Sequence, residues 1–404
     1  MKYSREEVIQ YVEEEDVKFI RLAFCDVFGR QKNISIMPEE LPRAFRYGIA
    51  FDASAVEGFG DESHCDLFLH PDPETLSLLP WRPEHGKVVR MFCRIAYPDG
   101  SPFEGDTREV LKRAEAYAQQ KGYAISFGAE QEFYLFRLDE NGDPTKIPYD
   151  QAGYMDMAPY DRGENVRREI CLTLEQMGIR PESSHHEEGP GQNEIDFRYS
   201  DALVAADNVM AFQTVVKTIA YRNGLLADFS AKPLSSRPGN GFHINMSVRS
   251  RDGEDHMYPM MAGILEKIEE MTIFLNPWEN SYERFGKEKA PAYVSWSHEN
   301  RSQLVRVPAA VGEYKRAELR SPDPTANPYL AFALLIYAGV QGIEKGLALP
   351  PAADFNFFTE KEEILRQYRR LPKTRQEACR KAEGSAFIRE CVPETIRRIY
   401  CDRI

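Results

Sequence analysis

The sequence predicts an α+β protein of two domains: a small β-rich unit over residues 1–100, and a larger one over residues 101–404 holding strands with one polar face. Three observations predict this. A chain of 404 residues exceeds one ordinary core, since domains usually hold about 100 to 200 residues. The first part carries short β-type runs divided by Gly, Pro and Asp, and closes on Tyr97 to Asp106, YPDGSPFEGD, a segment dense in turn formers that makes the best linker. Beyond it, four runs alternate polar and apolar residues with the period of a strand.

The N-terminal stretch MKYSREEVIQYVEEED is charged and amphipathic and does not read as a leader peptide. VKFIRLAF, KNISIM and KVVRMFCRIAY then read as strands, with a short helical stretch near Glu39 to Gly48. After the linker, Asp106 or Thr107 can cap a helix whose apolar residues fall at 110, 111, 114, 117 and 118, ending before Gly122. Two more helices read the same way, Gly163 to Met177 before Gly178 and Asp201 to Asn223 before Gly224.

With 42% hydrophobic and 28% charged residues, the composition is that of a folded globular chain, neither disordered nor fibrous. The 64 acidic against 51 basic residues disfavour a polyanionic partner such as nucleic acid, and an acidic site would need cations. A solubilising surface is the simpler account of the excess, as in many acidic soluble proteins. Seven scattered cysteines without a CxxC pair fit free thiols in a reducing compartment. The longest apolar run, Tyr329 to Val340, falls short of the roughly 20 residues of a membrane helix. A cytoplasmic protein with no membrane partner is expected.

The polar faces carry the chemistry. In GAEQEFYLF, Glu130 and Glu132 share one face, while Gln131, Phe133 and Leu135 take the other. In GQNEIDFRY, Glu194, Asp196 and Arg198 alternate with Ile195, Phe197 and Tyr199, and Glu187 and Glu188 lie just upstream. In GFHINMSV, His243, Asn245 and Ser247 alternate with Phe242, Ile244 and Met246, and in RAELR, Arg316, Glu318 and Arg320 alternate with Ala317 and Leu319. Any one of these could be the wet surface of an ordinary sheet. If the faces converge, their like charges repel strongly and must be protonated or neutralised by cations. All-oxygen ligation with one imidazole suits Mg²⁺ or Mn²⁺ better than Zn²⁺. Arginines at 301, 306, 316 and 320 supply clamps for phosphate or carboxylate, which points to ATP-dependent chemistry on a carboxylate. The SRPGNGF loop lets backbone approach a ligand closely, although GNG is more often a turn.

FDASAVEGF, GAEQEFYLF, HHEEGPGQNEIDF, GFHINMS, NRSQLVRVP and ELRSPDPTANPYL, in this order, resemble blocks of the type I glutamine synthetases over nearly the whole chain. The resemblance implies an N-terminal β-grasp domain (1–100) and a catalytic domain (101–404) with a curved antiparallel sheet forming a channel. It also implies a homo-oligomeric ring whose active sites are shared between subunits. Glutamate, ammonia and ATP would be the substrates, with two or more Mg²⁺ or Mn²⁺ per subunit. Glu132, Glu187 and Glu194 would hold one metal, and Glu130, His243 and Glu318 the other. Arg284 and Arg320 match arginines that contact glutamate and the phosphoryl group, and Gly239 matches a backbone contact to glutamate. Arg301, Arg306 and Arg316 match nucleotide-phosphate contacts, and Glu182, Asn245 and Ser247 join the ATP site. Asp52 of an adjacent subunit, with Tyr154 and Glu187, matches the ammonium site. Asp52, Arg301 and Arg320 are thereby the expected catalytic residues.

The departures gather at the acceptor side. Lys289 stands where the family flap carries Glu before Ala-Pro, and Glu288 could substitute after a small loop shift. Pro238 replaces an Asn, Ala55 a Ser, and Asn245 the second His of HxH. Phe358 stands where regulated members carry a modified Tyr, and the ending RRIYCDRI implies a single ring or a looser double one. The leading expectation is a glutamine synthetase acting through γ-glutamyl phosphate. A γ-glutamyl ligase for an organic amine and a non-catalytic regulatory paralogue are the alternatives.

Overall fold

The computed structural model describes residues 3–402 apart from residues 62, 64, 82–85 and 311. Ser4 caps a first helix, Arg5–Glu14, through a reciprocal capping box with Glu7. A six-stranded sheet follows, in the order Gln31–Ile36, Val17–Cys25, Lys87–Ala96, Asp66–Pro71, Ile49–Asp52, with Ser77–Leu78 paired to Lys87–Ala96. Val17–Cys25 and Lys87–Ala96 run parallel, and their neighbours antiparallel. The expected helical stretch becomes Leu41–Tyr47, preceded by a short 3₁₀ turn at Pro38–Glu40. The three short strands at 49–52, 66–71 and 77–78 had no sequence signal, because they are brief and bracketed by Asp, Pro and His.

Asp106 caps the helix Thr107–Gln120, accepting from the amides of Arg108 and Glu109, and its second oxygen accepts from the Ile95 amide at 2.8 Å. One side chain thus ties the start of the second domain to the last strand of the first. Arg108 extends the tie: buried, it bonds Asp207 within the second domain and Asp72 within the first at 2.9 Å. Asn327 and Tyr400 both donate to the Val27 carbonyl at 3.0 Å, closing the seam from the C-terminal side.

The second domain is built on a ten-stranded sheet. Its main path runs Trp296–His298, Val305–Val307, Ala317–Leu319, Phe242–Ser250, Tyr123–Leu138, Gln192–Phe197, Pro181–His186. The pairing is antiparallel except at one edge, where Trp296–His298 runs parallel to Val305–Val307. The helices Ala202–Arg222, Met257–Leu275 and Pro328–Glu344 cover the apolar face. Phe127 stacks on Phe332 at 4.3 Å, and Phe133 meets Phe212 edge-on at 6.3 Å. Phe133, Ile195, Phe242, Ile244 and Leu319 are fully buried there, as the alternation required. That coverage leaves the carboxylates and the imidazole on the opposite face. The run at Tyr329 to Val340 lies in one of these helices, and no helix among the described residues is long and apolar enough to cross a membrane.

Candidate active site

Register places the acidic residues opposite one another. Glu194 pairs with Glu132 and Asp196 with Glu130 on one side of the long strand, and His243 pairs with Glu130 on the other. Directly opposed like charges destabilise a sheet unless something neutralises them. Part of the neutralisation is internal. Glu318, fully buried, is gripped by Arg306 and Arg320. His243 stands between two groups of carboxylates: Nδ1 lies 3.3 Å from Glu130 and 3.9 Å from Glu318, and Nε2 lies 4.0 Å from Glu132.

The ligating atoms of Glu130, His243 and Glu318 all fall within 4.8 Å of one another, as do those of Glu132, Glu194 and His243. The first group is the expected one. In the second, Glu187 joins Glu194 through His185 rather than through Glu132: His185 lies 3.8 Å from Glu187 and 3.5 Å from Glu194. A donor set of carboxylate oxygens with one imidazole per group fits a hard divalent cation such as Mg²⁺ or Mn²⁺.

The ionisation pattern has the same cause. Burial pushes the Glu130 carboxyl up, but His243, the Asn245 amide and Arg320 outweigh it and hold it at about 2. At Glu187, burial and the Glu132 charge outweigh the Glu188 amide and Lys289 and push the carboxyl up to about 8. Burial and Glu130 raise Asp196 to about 7, and burial with the neighbouring carboxylates raises Glu194. In metal-free protein, Glu187 and Asp196 therefore keep protons that the unfolded chain loses near about pH 4. The folded state binds more protons, so stability falls as pH rises from about 4 to about 8. Glu130 acts oppositely, and only below about pH 4.5. The unfolding midpoint of chelated protein is expected to fall between about pH 5 and pH 8, with Mg²⁺ or Mn²⁺ raising it most at the alkaline end. Calorimetry with a chelator titration checks this.

These residues line a cavity of about 310 Å³. Glu130, Glu132, Glu194 and His243 line it together with Arg301, Arg306, Arg316 and Arg320. Tyr154, Glu187, Gly239 and Arg284 line it as well. Arg284 and Arg320 are buried, and each leaves its Nε without a hydrogen-bond partner among the described residues. A buried guanidinium with an unmet donor favours an anionic ligand. Gly239 approaches so closely that a Cβ would lie 2.5 Å from the Ala231 carbonyl and 2.7 Å from Arg284. Only glycine lets the loop run against that arginine.

Glu182, Asn245 and Ser247 line a second cavity of about 270 Å³, which shares Glu130, Ser183, Asp196 and Arg316 with the first. Asn245 links the two by donating to Glu130 at 2.7 Å and accepting from Arg316 at 2.8 Å. Asp52 lines neither cavity. It sits exposed at the end of Ile49–Asp52, its carboxylate accepting from Ser54. Glu288 lines the first cavity, and its carboxylate pairs with Lys232.

Two site residues escaped the sequence reading. His185 lies on the strand Pro181–His186, and Gln192 donates to Glu132 at 3.0 Å and to the Gly239 carbonyl at 3.2 Å. Gln192 shares the parity of Glu194 and Asp196, so alternation alone could have found it.

A curved sheet whose polar face gathers carboxylate–imidazole groups beside buried arginines defines the class: an α+β protein that can hold divalent cations next to an anionic substrate. The chain belongs to the glutamine synthetase family, a family of ligases. Residues 16–98 match the family model for the glutamine synthetase β-grasp domain, and residues 104–403 that for the glutamine synthetase catalytic domain. The chain is 46% identical to a glutamine synthetase of Clostridium saccharobutylicum, over 93% of this chain and 88% of that one. It is 44% identical to a glutamine synthetase of Methanosarcina mazei, over 98% and 92%. Among solved structures, a GmaS complex with ADP superposes with a TM-score of 0.88 at 27% identity, over 97% of this chain and 93% of that one. The Plasmodium falciparum glutamine synthetase shares the fold, with a TM-score of 0.86 at 22% identity over 100% and 95%.

Proposed function

We propose that the protein joins ammonia to the γ-carboxylate of glutamate at the expense of ATP, by way of γ-glutamyl phosphate. The observation that carries this reading is the pair of carboxylate–imidazole groups facing buried arginines with unmet donors, in a chain 44–46% identical to glutamine synthetases.

Glu130, His243 and Glu318 would hold one divalent cation, and Glu132, Glu187 and Glu194 another, with His185 beside the second. Bound there, Mg²⁺ or Mn²⁺ supplies charge that offsets the phosphate oxygens of ATP. Arg284 and Arg320 bind and orient glutamate, with the Gly239 backbone alongside. A γ-carboxylate oxygen then forms a bond to the γ-phosphorus of ATP, and ADP leaves. Arg301, Arg306 and Arg316 spread the charge that develops on the transferring group. Ammonia attacks the acyl carbon and forms the C–N bond, its excess proton accepted by Glu187 beside Tyr154, while the C–O bond to phosphate breaks and phosphate leaves with that electron pair and the former carboxylate oxygen. Glu182, Asn245 and Ser247 would hold the nucleotide in the adjoining cavity.

Asp52, exposed and away from its own cavity, would complete the acceptor site of a second copy in a homo-oligomer. Mixed oligomers of Asp52→Ala and Glu318→Gln chains are then expected to recover turnover that neither has alone, and no recovery would sink the shared site. The overall reading is tested by phosphate release from ATP with Mg²⁺ and glutamate, with and without ammonium, and mass analysis of the product. Glutamine formed only with ammonium supports it; no glutamine under any condition overturns it. An organic-amine acceptor is the second reading, favoured by Lys289 in the cavity lining, and an amine panel in the same assay separates the two.

A further inference from the structure

We propose that Lys289 holds down the affinity for the acceptor, its ε-ammonium occupying a cation cage formed by Glu188 and Tyr154 as a tethered competitor of ammonium and small alkylammonium ions. The proposal rests on the function above and specifies its acceptor side.

The flap is a tight turn in which Lys287 and Ala290 bridge and the Ala290 amide donates to the Lys287 carbonyl at 2.9 Å. Its two central residues, Glu288 and Lys289, have φ of 47° and 67°, a left-handed conformation that neither side chain favours. Such a conformation persists where the surroundings over-determine it. Here two ion pairs of opposite sense do so. Glu288 is held by Lys232, whose ammonium also donates to the Arg237 carbonyl, so the flap's carboxylate is engaged. Lys289 turns instead to line the cavity, pairs with Glu188, and sets its Nζ 5.4 Å over the Tyr154 ring.

A carboxylate beside an aromatic face is a recognition cage for ammonium and alkylammonium groups. Tyr154 is fixed from its other neighbour, packing edge-on to His185 at 5.5 Å, and His185 in turn meets Glu187. Tyr154, Glu187, Glu188 and Lys289 all line the cavity. A cationic acceptor finds the cage filled by Lys289 and must displace it, whereas glutamate and ATP present anionic groups to the arginines and do not compete for a cation cage. The pair is 46% and 37% exposed, so solvent screening limits the effect to several-fold rather than orders of magnitude.

Lys289→Met keeps the apolar stem and removes the charge, and Lys345→Met, at the exposed end of the helix Pro328–Glu344, serves as the control. At fixed ionic strength, Lys289→Met is expected to lower KM for ammonium, and for methylammonium in parallel, by about five- to tenfold. KM for glutamate and ATP should stay within about twofold. An ammonium KM that is unchanged or raised, or all three constants moving together, would overturn the proposal. The rise in unfolding midpoint with ammonium chloride, against sodium chloride at equal ionic strength, gives a readout independent of turnover. If neither form makes product but Lys289→Met responds at several-fold lower ammonium than the parent chain, the catalytic reading fails and the cage stands. An identical ammonium response in both forms removes the cage itself.

Discussion

Glu318→Gln is expected to abolish ATP-dependent product formation, with a loss of more than about 10²-fold in kcat. Glu318 is the most constrained carboxylate of the site. It is fully buried, lies opposite Asn245 and Arg306 in the sheet, is gripped by Arg306 and Arg320, and stands 3.9 Å from His243. Glutamine keeps the volume and removes the charge, so one metal group loses an anionic ligand while two arginines lose their counter-charge. Breaking a buried pair from one side costs about 3–5 kcal/mol, so the unfolding midpoint falls as well. Assay below the transition, together with the midpoint itself, separates the two losses. Glu130→Gln is the companion variant, since Glu130 is held ionised by His243 and Asn245. Full activity in either variant would overturn the metal assignment.

Arg284→Lys is expected to raise KM for glutamate by about 10²-fold while moving KM for ATP much less. Arg284 is buried, donates to the Ser321 carbonyl at 3.0 Å, and has an Nε without a partner among the described residues. Lysine keeps the charge, but as a point donor it cannot give the planar fork that matches a carboxylate, and its shorter reach leaves space against Gly239. Steady-state constants for both substrates check this. An unchanged glutamate KM would remove Arg284 from the substrate site.

The strand-borne part of the site was legible because strand parity is local. Glu130, Glu132, Glu194, His243 and Glu318 all fall on the faces that alternation assigned, and the helices cover the other faces through Phe127, Phe133 and Phe242. Register was not legible: that Glu194 faces Glu132 and His243 faces Glu130 is fixed by long-range pairing across more than fifty residues of chain. Residues on loops, such as Tyr154 and Arg284, carry no periodicity and were reached only through resemblance, whereas Gly239 was signalled in part by the glycines of its SRPGNGF loop. His185 was missed because the strand PESSHH is polar on both faces and shows no alternation. The flap was half legible. Lys289 stood out as a substitution, yet only its left-handed φ and its pairing with Glu188 show which way the charge turns.

The central claim is that the γ-carboxylate of glutamate is activated as an acyl phosphate. Its most direct test uses glutamate labelled with ¹⁸O in the γ-carboxylate, with ATP, Mg²⁺ and ammonium, and reads the isotope in the phosphate released. One labelled oxygen per phosphate, matched by one glutamine, is the predicted result. Phosphate released without label would contradict the account.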